Sequence, residues 1–240
     1  MKVKGFTFRQ FHVRQNGAAM KVTTDACVFA AWIPGPIKGN ILDAGTGTGL
    51  LALMLAQRFP ELRITGIELD EAAFEDARHN FIHSPFADRL HAIHADVLAY
   101  SNPVPFDAIV CNPPFFVNAL PAQNITRNLA RHISTAFSVD CFLETVTKLL
   151  RDEGSLFLLL PPAEAEHWME AAAVRKLFPV EICKLKHDPL KAVHRWMISL
   201  QRLNETIPSP CAETQLNLTE NGEYSAPMRA MLRPFYLYVD

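Results

Sequence analysis

No apolar run in this sequence approaches the roughly 20 residues that a membrane-spanning helix requires; the longest, such as Leu156 to Pro162, are strand-sized. The first residues carry Lys2 and Lys4 and then alternate polar with aromatic side chains, lacking the unbroken apolar stretch of a secretory signal, so a cytoplasmic protein is expected. Cysteine is scarce and unpatterned. Cys27, Cys111, Cys141, Cys183 and Cys211 are odd in number and far apart, with no Cys-x-x-Cys pair for zinc or redox work, and they predict reduced, mostly buried thiols. His79 and His83 stand one helical turn apart with His91 and His94 nearby, but no carboxylate or cysteine completes a ligand pattern. Packing or solvated histidines are expected, and no metal.

Acidic residues are missing before Asp25, where Lys2, Lys4, Arg9, Arg14 and Lys21 stand unopposed in sequence. A second stretch, Arg175 to Arg202, holds Arg175, Lys176, Lys184, Lys186, Lys191, Arg195 and Arg202 against only Glu181 and Asp188. A net charge of −2 gives no overall pull toward nucleic acid, so any attraction to phosphate has to come from these two regions.

The 240 residues, 49% of them hydrophobic, suffice for one sizeable core with appendages. Phe6, Phe8 and Phe11 to Val13 with interleaved polar residues predict a strand or hairpin that ends at the turn pair Asn16-Gly17. From Asn40 the pattern becomes alternating. Strands are expected at Ile41 to Ala44, Arg63 to Glu68, Leu90 to His94, Phe106 to Cys111, Ser155 to Leu160, Val180 to Lys186 and Trp196 to Arg202. Helices are expected at Leu50 to Arg58, Glu71 to Phe81, Asp140 to Leu150 and Ala163 to Leu177. This alternation predicts an α/β, Rossmann-like fold: a mostly parallel seven-stranded sheet with helices on both faces. Residues 1–38 then form a basic appendage that closes over a ligand, 39–202 the main domain, and 203–240 a polar loop (203–222) with an apolar tail that docks back.

Asp43-Ala44-Gly45-Thr46-Gly47-Thr48-Gly49 follows a strand and opens a helix, the context in which a glycine loop lets a ligand approach the backbone. Glu68 ends the next strand, where a carboxylate can take both ribose hydroxyls of an adenosine. NAD and S-adenosylmethionine both satisfy that pair. Leu50 decides between them: it fills the place where a dinucleotide fingerprint needs a small residue for pyrophosphate, which favours S-adenosylmethionine. Asp96, beyond the third of these strands, can accept from an adenine amino group, and Val97 can wall it; capping its own loop is the alternative for Asp96.

Cys111-Asn112-Pro113-Pro114-Phe115-Phe116 follows the fourth strand of the series. Two prolines after an asparagine can continue neither a ladder nor a helix, so the segment is a rigid loop. Rigidity suits a planar amino group, whose lone pair is delocalised into its ring. The Asn112 carbonyl with a backbone carbonyl can accept both N–H bonds and favour a tetrahedral nitrogen, while Phe115 stacks on the base and Phe116 walls the pocket.

Asn112-Pro113-Pro114-Phe115 resembles the Asn-Pro-Pro-aromatic motif of amino methyltransferases. Within that class, Ala19 to Ala26, Arg127 to His132 and Phe235-Tyr236-Leu237 resemble the bacterial tRNA1(Val) adenine N6-methyltransferase family over nearly the whole chain. The resemblance implies a class I methyltransferase fold, S-adenosylmethionine as donor, and the adenine just 3′ of the anticodon as target. It places Thr23 and Thr24 near the methionine end of the cofactor, Gly45 and Gly47 around it, Glu68 at the ribose, Asp96 at its adenine, and Asn112 with Phe115 at the target base. It implies a tRNA partner; the sequence itself predicts no membrane partner, and it leaves the oligomeric state open, with a monomer favoured. Phe115 stands where tyrosine is usual, and phenylalanine also occurs in guanine N2-methyltransferases of ribosomal RNA, which remain an alternative. A glutamine N5-methyltransferase is the other, although the basic strand before Asn40 differs from the helical substrate domain such enzymes carry.

Overall fold

Ile41 and Leu42 are neighbours in the chain but belong to two different hydrophobic clusters. Strand side chains alternate between faces, and here both faces are covered, so each strand feeds two cores. The computed structural model describes residues 5–17, 21–35, 37–113, 138–203 and 210–238. Phe115 and Phe116, the Arg127 to His132 segment, Ala19 and Met20, and Lys2 and Lys4 lie outside them.

The chain opens with an antiparallel hairpin, β1 (Gly5–Thr7) and β2 (His12–Arg14), and a helix, α1 (Thr24–Trp32). There follow β3 (Gly39–Ala44), α2 (Leu50–Arg58), β4 (Leu62–Glu68), α3 (Glu71–Ile82), β5 (Leu90–His94) and β6 (Phe106–Cys111). After residue 138 come α4 (Val139–Leu149), β7 (Leu150–Leu160), α5 (Pro162–Ala173), β8 (Leu177–Lys186), β9 (Val193–Arg202) and β10 (Ala212–Asn217). A small hairpin, β11 (Thr219–Glu220) with β12 (Glu223–Tyr224), leads to α6 (Ala226–Leu232).

The main sheet runs β10-β8-β9-β7-β6-β3-β4-β5. Within it β9 runs against both neighbours, β7 and β8, while the other pairings are parallel. It has eight strands rather than the expected seven. The extra one, β10, lies in the segment expected to be a polar loop. It pairs with β8 at the sheet edge and buries Leu216 alone among its side chains, so its polar composition is that of an edge strand. Residues Met228, Leu232, Phe235 and Tyr236 dock into the core as expected.

Helices α1, α2 and α6 cover one face with the hairpin; α4 and α5 cover the other. Helix α1 was not foreseen. Ala26 through Trp32 are all buried, so the helix has no polar face and no 3.6-residue period, and the Thr23 cap was the only signal available. Two arginines tie helix ends together: Arg58 donates to Ala30 O and Ile33 O at the end of α1, and Arg89 to Ala56 O, Phe59 O and Leu62 O at the end of α2. Of the cysteines, Cys27, Cys111 and Cys183 are buried, while Cys141 is exposed and Cys211 partly so.

Candidate active site

The sheet's strand order reverses between β3 and β6, and in open α/β sheets the crevice at such a point, beyond the carboxyl ends, receives the ligand. The register brings most of the expected residues there. Ala44 pairs with Ile67 of β4 and with Cys111 of β6, so the Gly45 loop, Glu68 and Asn112 leave three adjacent strand ends. Glu68 pairs in turn with His94, and Ala95 N–H donates to Glu68 O, so Asp96 leaves the fourth.

The loop is held by its own backbone and by two carboxylates. Gly45 and Thr46 N–H groups donate to Ile67 O at 2.9 Å, and Gly47 N–H donates to Glu68 Oε2 at 2.8 Å. Glu68 Oε1 accepts from Leu69 and Asp70 N–H, both at 2.9 Å, which turns the chain into α3. Gly45 and Gly47 have φ of +72° and +58°, and a Cβ on either would meet nothing within 4 Å. They line open space in a left-handed conformation, which is the cradle a cofactor requires.

Asp43 is fully buried beneath this cradle and accepts from the Thr46 hydroxyl at 2.6 Å. Its Oδ1 makes no well-formed hydrogen bond, although the Ala52 N–H favours its charge. Burial pushes the carboxyl up to about 7, with the Glu68 charge adding to the rise and the Thr46 and Ala52 bonds opposing it. The folded value lies above the unfolded one of about 3.9, so between these limits the native state holds a proton that the unfolded chain has lost. The contribution of Asp43 to stability therefore falls as pH rises through that window and is level above it. Urea unfolding of wild type and Asp43→Asn from pH 4 to 8 should show this as a stability difference that moves against the wild type with rising pH; a constant difference would refute it.

Asn112 Oδ1 is buried and has no hydrogen-bond partner among the described residues, a costly state for a carbonyl unless something else supplies a donor. Pro113 beside it is buried. The neighbouring Cys111 thiol is held well above its ordinary value by burial first and then by the charges of Asp43 and Glu68, so it is no nucleophile at neutral pH.

Asp96 performs the capping role that sequence left open: Oδ1 accepts from Leu98 N–H at 2.9 Å in the turn Val97–Ala99, and half-buried Val97 packs against the second cluster. Thr23 caps α1, its Oγ1 accepting from Ala26 N–H, and α1 packs on α2, whose first turn follows the glycine loop. Two residues were missed. Asp76 and Asn80 on α3 are buried and bind the N-terminal segment: Arg14 Nε to Asp76 at 2.8 Å, Gly17 N–H to Asp76, and Arg14 N–H to Asn80 Oδ1. Asn80 Nδ2 also donates to Thr48 O, joining that segment to the glycine loop. In sequence, two polar residues one turn apart look like a solvated face.

The basic stretch 175–202 needs correction. Acidic partners absent from the local sequence arrive from elsewhere: Arg175 pairs with Asp140, Lys184 with Glu213, Arg195 with Asp25 and Arg202 with Asp152. Four of its seven cations therefore stand beside carboxylates and are not unopposed. The histidines pack: His79 stacks on His83 at 4.0 Å and His94 on Phe74 at 5.1 Å, and among the described residues no cluster is placed to hold a metal.

Residues 18–163 match the methyltransferase small domain family. The chain is 38% identical over 236 residues to a tRNA1(Val) (adenine(37)-N6)-methyltransferase of Vibrio parahaemolyticus, covering 98% of this chain and 97% of that protein. It is 39% identical to one of the same name from Photobacterium profundum, covering 98% of both. Among solved structures it resembles a predicted O-methyltransferase from Agrobacterium tumefaciens with a TM-score of 0.66 at 19% identity, covering 89% of this chain and 98% of that one; this likeness concerns the fold.

Proposed function

Because the chain belongs to the family of bacterial tRNA1(Val) (adenine(37)-N6)-methyltransferases, we propose that it transfers a methyl group from S-adenosylmethionine to N6 of adenine 37 in that tRNA. The observation that carries this reading is the buried Asn112 Oδ1, unpartnered among the described residues and one strand away from the glycine cradle. An adenine amino group has two N–H bonds to give, and a carbonyl in this position lacks a donor.

S-adenosylmethionine supplies, when bound, an electrophilic methyl group on a sulfonium. The chain's own residues do the rest. The Gly45–Gly47 backbone and Asp43 receive the methionine end, with Thr23 and Thr24 beside it; Glu68 takes the ribose hydroxyls; Asp96, through the oxygen not used in capping, takes the cofactor's adenine against Val97. Asn112 orients the target nitrogen so that its lone pair faces the methyl carbon, Pro113 fixes the loop, and Phe115 stacks on the base. No strong base is needed, since the nitrogen proton becomes acidic once the new bond forms. Residues 1–38 and 203–240 flank the 39–202 domain, and one copy of the chain supplies every residue named. Among the described residues no helix is long and apolar enough to cross a membrane, and the proposed tRNA substrate supports a cytoplasmic location.

The methionine ammonium of the cofactor, held beside Asp43, also favours its ionised form. With that carboxyl at about 7 in the free protein, cofactor binding at pH 6.5 should release protons, and Asp43→Asn should release fewer. Calorimetry in buffers of different ionisation enthalpy reads this directly; equal release by both proteins would remove Asp43 from the site.

The reaction itself is tested by incubating the protein with unmodified tRNA1(Val) and cofactor and analysing the nucleosides by mass spectrometry. N6-methyladenosine at position 37 is expected. N2-methylguanosine, or methylation of a protein glutamine in its place, would overturn the assignment.

A further inference from the structure

We infer that the ring of His187 is a stacking platform for an unpaired base of the anticodon loop flanking the methylated nucleotide, an inference that rests on the tRNA reading above. Its position comes from the strand register. Cys111, Leu158, Ile198 and Ile182 form one row across β6, β7, β9 and β8. Because β9 runs backwards, its start and the end of β8 both lie at the carboxyl edge, the edge that Asn112 occupies. At roughly 4.8 Å per strand, β9 lies about 10 Å and β8 about 15 Å from β6. The connection between them, residues 187–192, projects past that edge.

This connection is organised in advance. Asp188 Oδ1 accepts from Leu190 N–H at 2.8 Å and Asp188 O from Lys191 N–H at 3.1 Å. Lys186 Nζ donates to Pro189 O, and Thr219 donates to His187 O through both its N–H and its hydroxyl. Behind His187 lies His194, parallel within 9° at 3.7 Å between ring centres. The inner ring is 18% exposed and anchored by Asp25 at 3.1 Å; the outer ring, His187, is exposed. Leu190, in the same connection, is 95% exposed. The aromatic stack thus ends in solvent, where a further planar group can extend it.

Charge favours a ring contact over a phosphate contact. Arg195 is paired with Asp25, the Lys186 ammonium is engaged by Pro189 O, Asp188 shares the connection with Lys191, and the adjacent hairpin carries Glu220 and Glu223. Trp196 at the same edge offers less, because the Lys184 ammonium already lies over its ring at 4.7 Å. Unpaired bases stacked on aromatic side chains are the common currency of single-stranded RNA recognition.

The test is binding of unmodified tRNA1(Val) to the full chain saturated with S-adenosylhomocysteine, followed by fluorescence anisotropy across a range of salt. His187→Ala should bind roughly ten- to a hundredfold more weakly, with the wild-type salt slope and unchanged S-adenosylhomocysteine affinity and Tm. His187→Phe, which keeps a ring, should restore binding. Wild-type affinity in His187→Ala, a shallower salt slope, or failure of the phenylalanine variant would each overturn the inference while leaving the tRNA reading intact. A wild-type protein that neither binds nor methylates tRNA would overturn the reading beneath it.

Discussion

Asn112→Ala is expected to slow methyl transfer by roughly 10²- to 10³-fold, the scale seen when one preorganised transition-state partner is removed. The amide oxygen is already desolvated and unpartnered in the free protein, so it needs no reorganisation when the target amino group arrives. Its hydrogen bond strengthens as the nitrogen loses conjugation with its ring and its N–H bonds become more acidic. The benefit therefore falls on the rate more than on substrate affinity. Asn112→Ala also removes a buried carbonyl that has no partner among the described residues, so little stability should be lost with it. A variant slower in chemistry and no less stable separates a functional residue from a structural one. Single-turnover assays on tRNA with cofactor binding and thermal unfolding measured in parallel would decide it. Transfer at the wild-type rate would remove this loop from the reaction.

Glu68→Ala should have an effect of similar size on a different quantity. The carboxylate accepts from Gly47, Leu69 and Asp70 N–H groups, so it shapes the glycine loop, the strand end and the start of α3 together. Alanine leaves those donors to water and deletes the acceptor proposed for two ribose hydroxyls. With hydrogen bonds to charged groups worth about 1.5–3 kcal/mol each, loss of the two ribose contacts alone predicts S-adenosylhomocysteine affinity lower by roughly 10²- to 10⁴-fold. Glu68→Gln keeps one accepting oxygen and should fall between the two. Once cofactor is saturating, turnover should largely recover, since neither variant touches Asn112. Affinity equal to the wild type in Glu68→Ala would show that the ribose is held elsewhere.

What could be read from sequence, and what could not, follows from the range of the interactions. Gly45, Gly47, Glu68 and Asn112 sit at strand ends in a parallel sheet, where short runs of apolar residues followed by glycine, acid or proline mark the carboxyl edge locally. Asp96 was visible as a polar residue in that series, but its capping bond was only the alternative to a cofactor role until Leu98 N–H was placed against it. Helix α1 escaped because burial on all sides erases the period on which helix recognition depends. Strand β10 escaped for the opposite reason, having too few buried side chains to stand out. The ion pairs of Arg175, Lys184, Arg195 and Arg202 join positions far apart in the chain, so local charge counting saw only their basic halves. Asp76 and Asn80 show the same limit: only the packing of α3 against the N-terminal segment distinguishes a buried polar tie from a wet helix face.

The two ends of the described chain meet over α1. Phe6 and Phe8 lie against Tyr236, Arg9 N–H donates to Phe235 O, and Tyr236 hydrogen-bonds the Cys27 thiol. Helix α6 packs on α1 as well. During synthesis, α1 leaves the ribosome long before the segment that covers it, and domains generally fold from the N-terminus as they emerge. The nascent chain must therefore hold an apolar helix uncovered while the sheet assembles beneath it. The cover over α1 is completed only when residues 226–236 emerge, which makes the exposed α1 a natural site for chaperone capture.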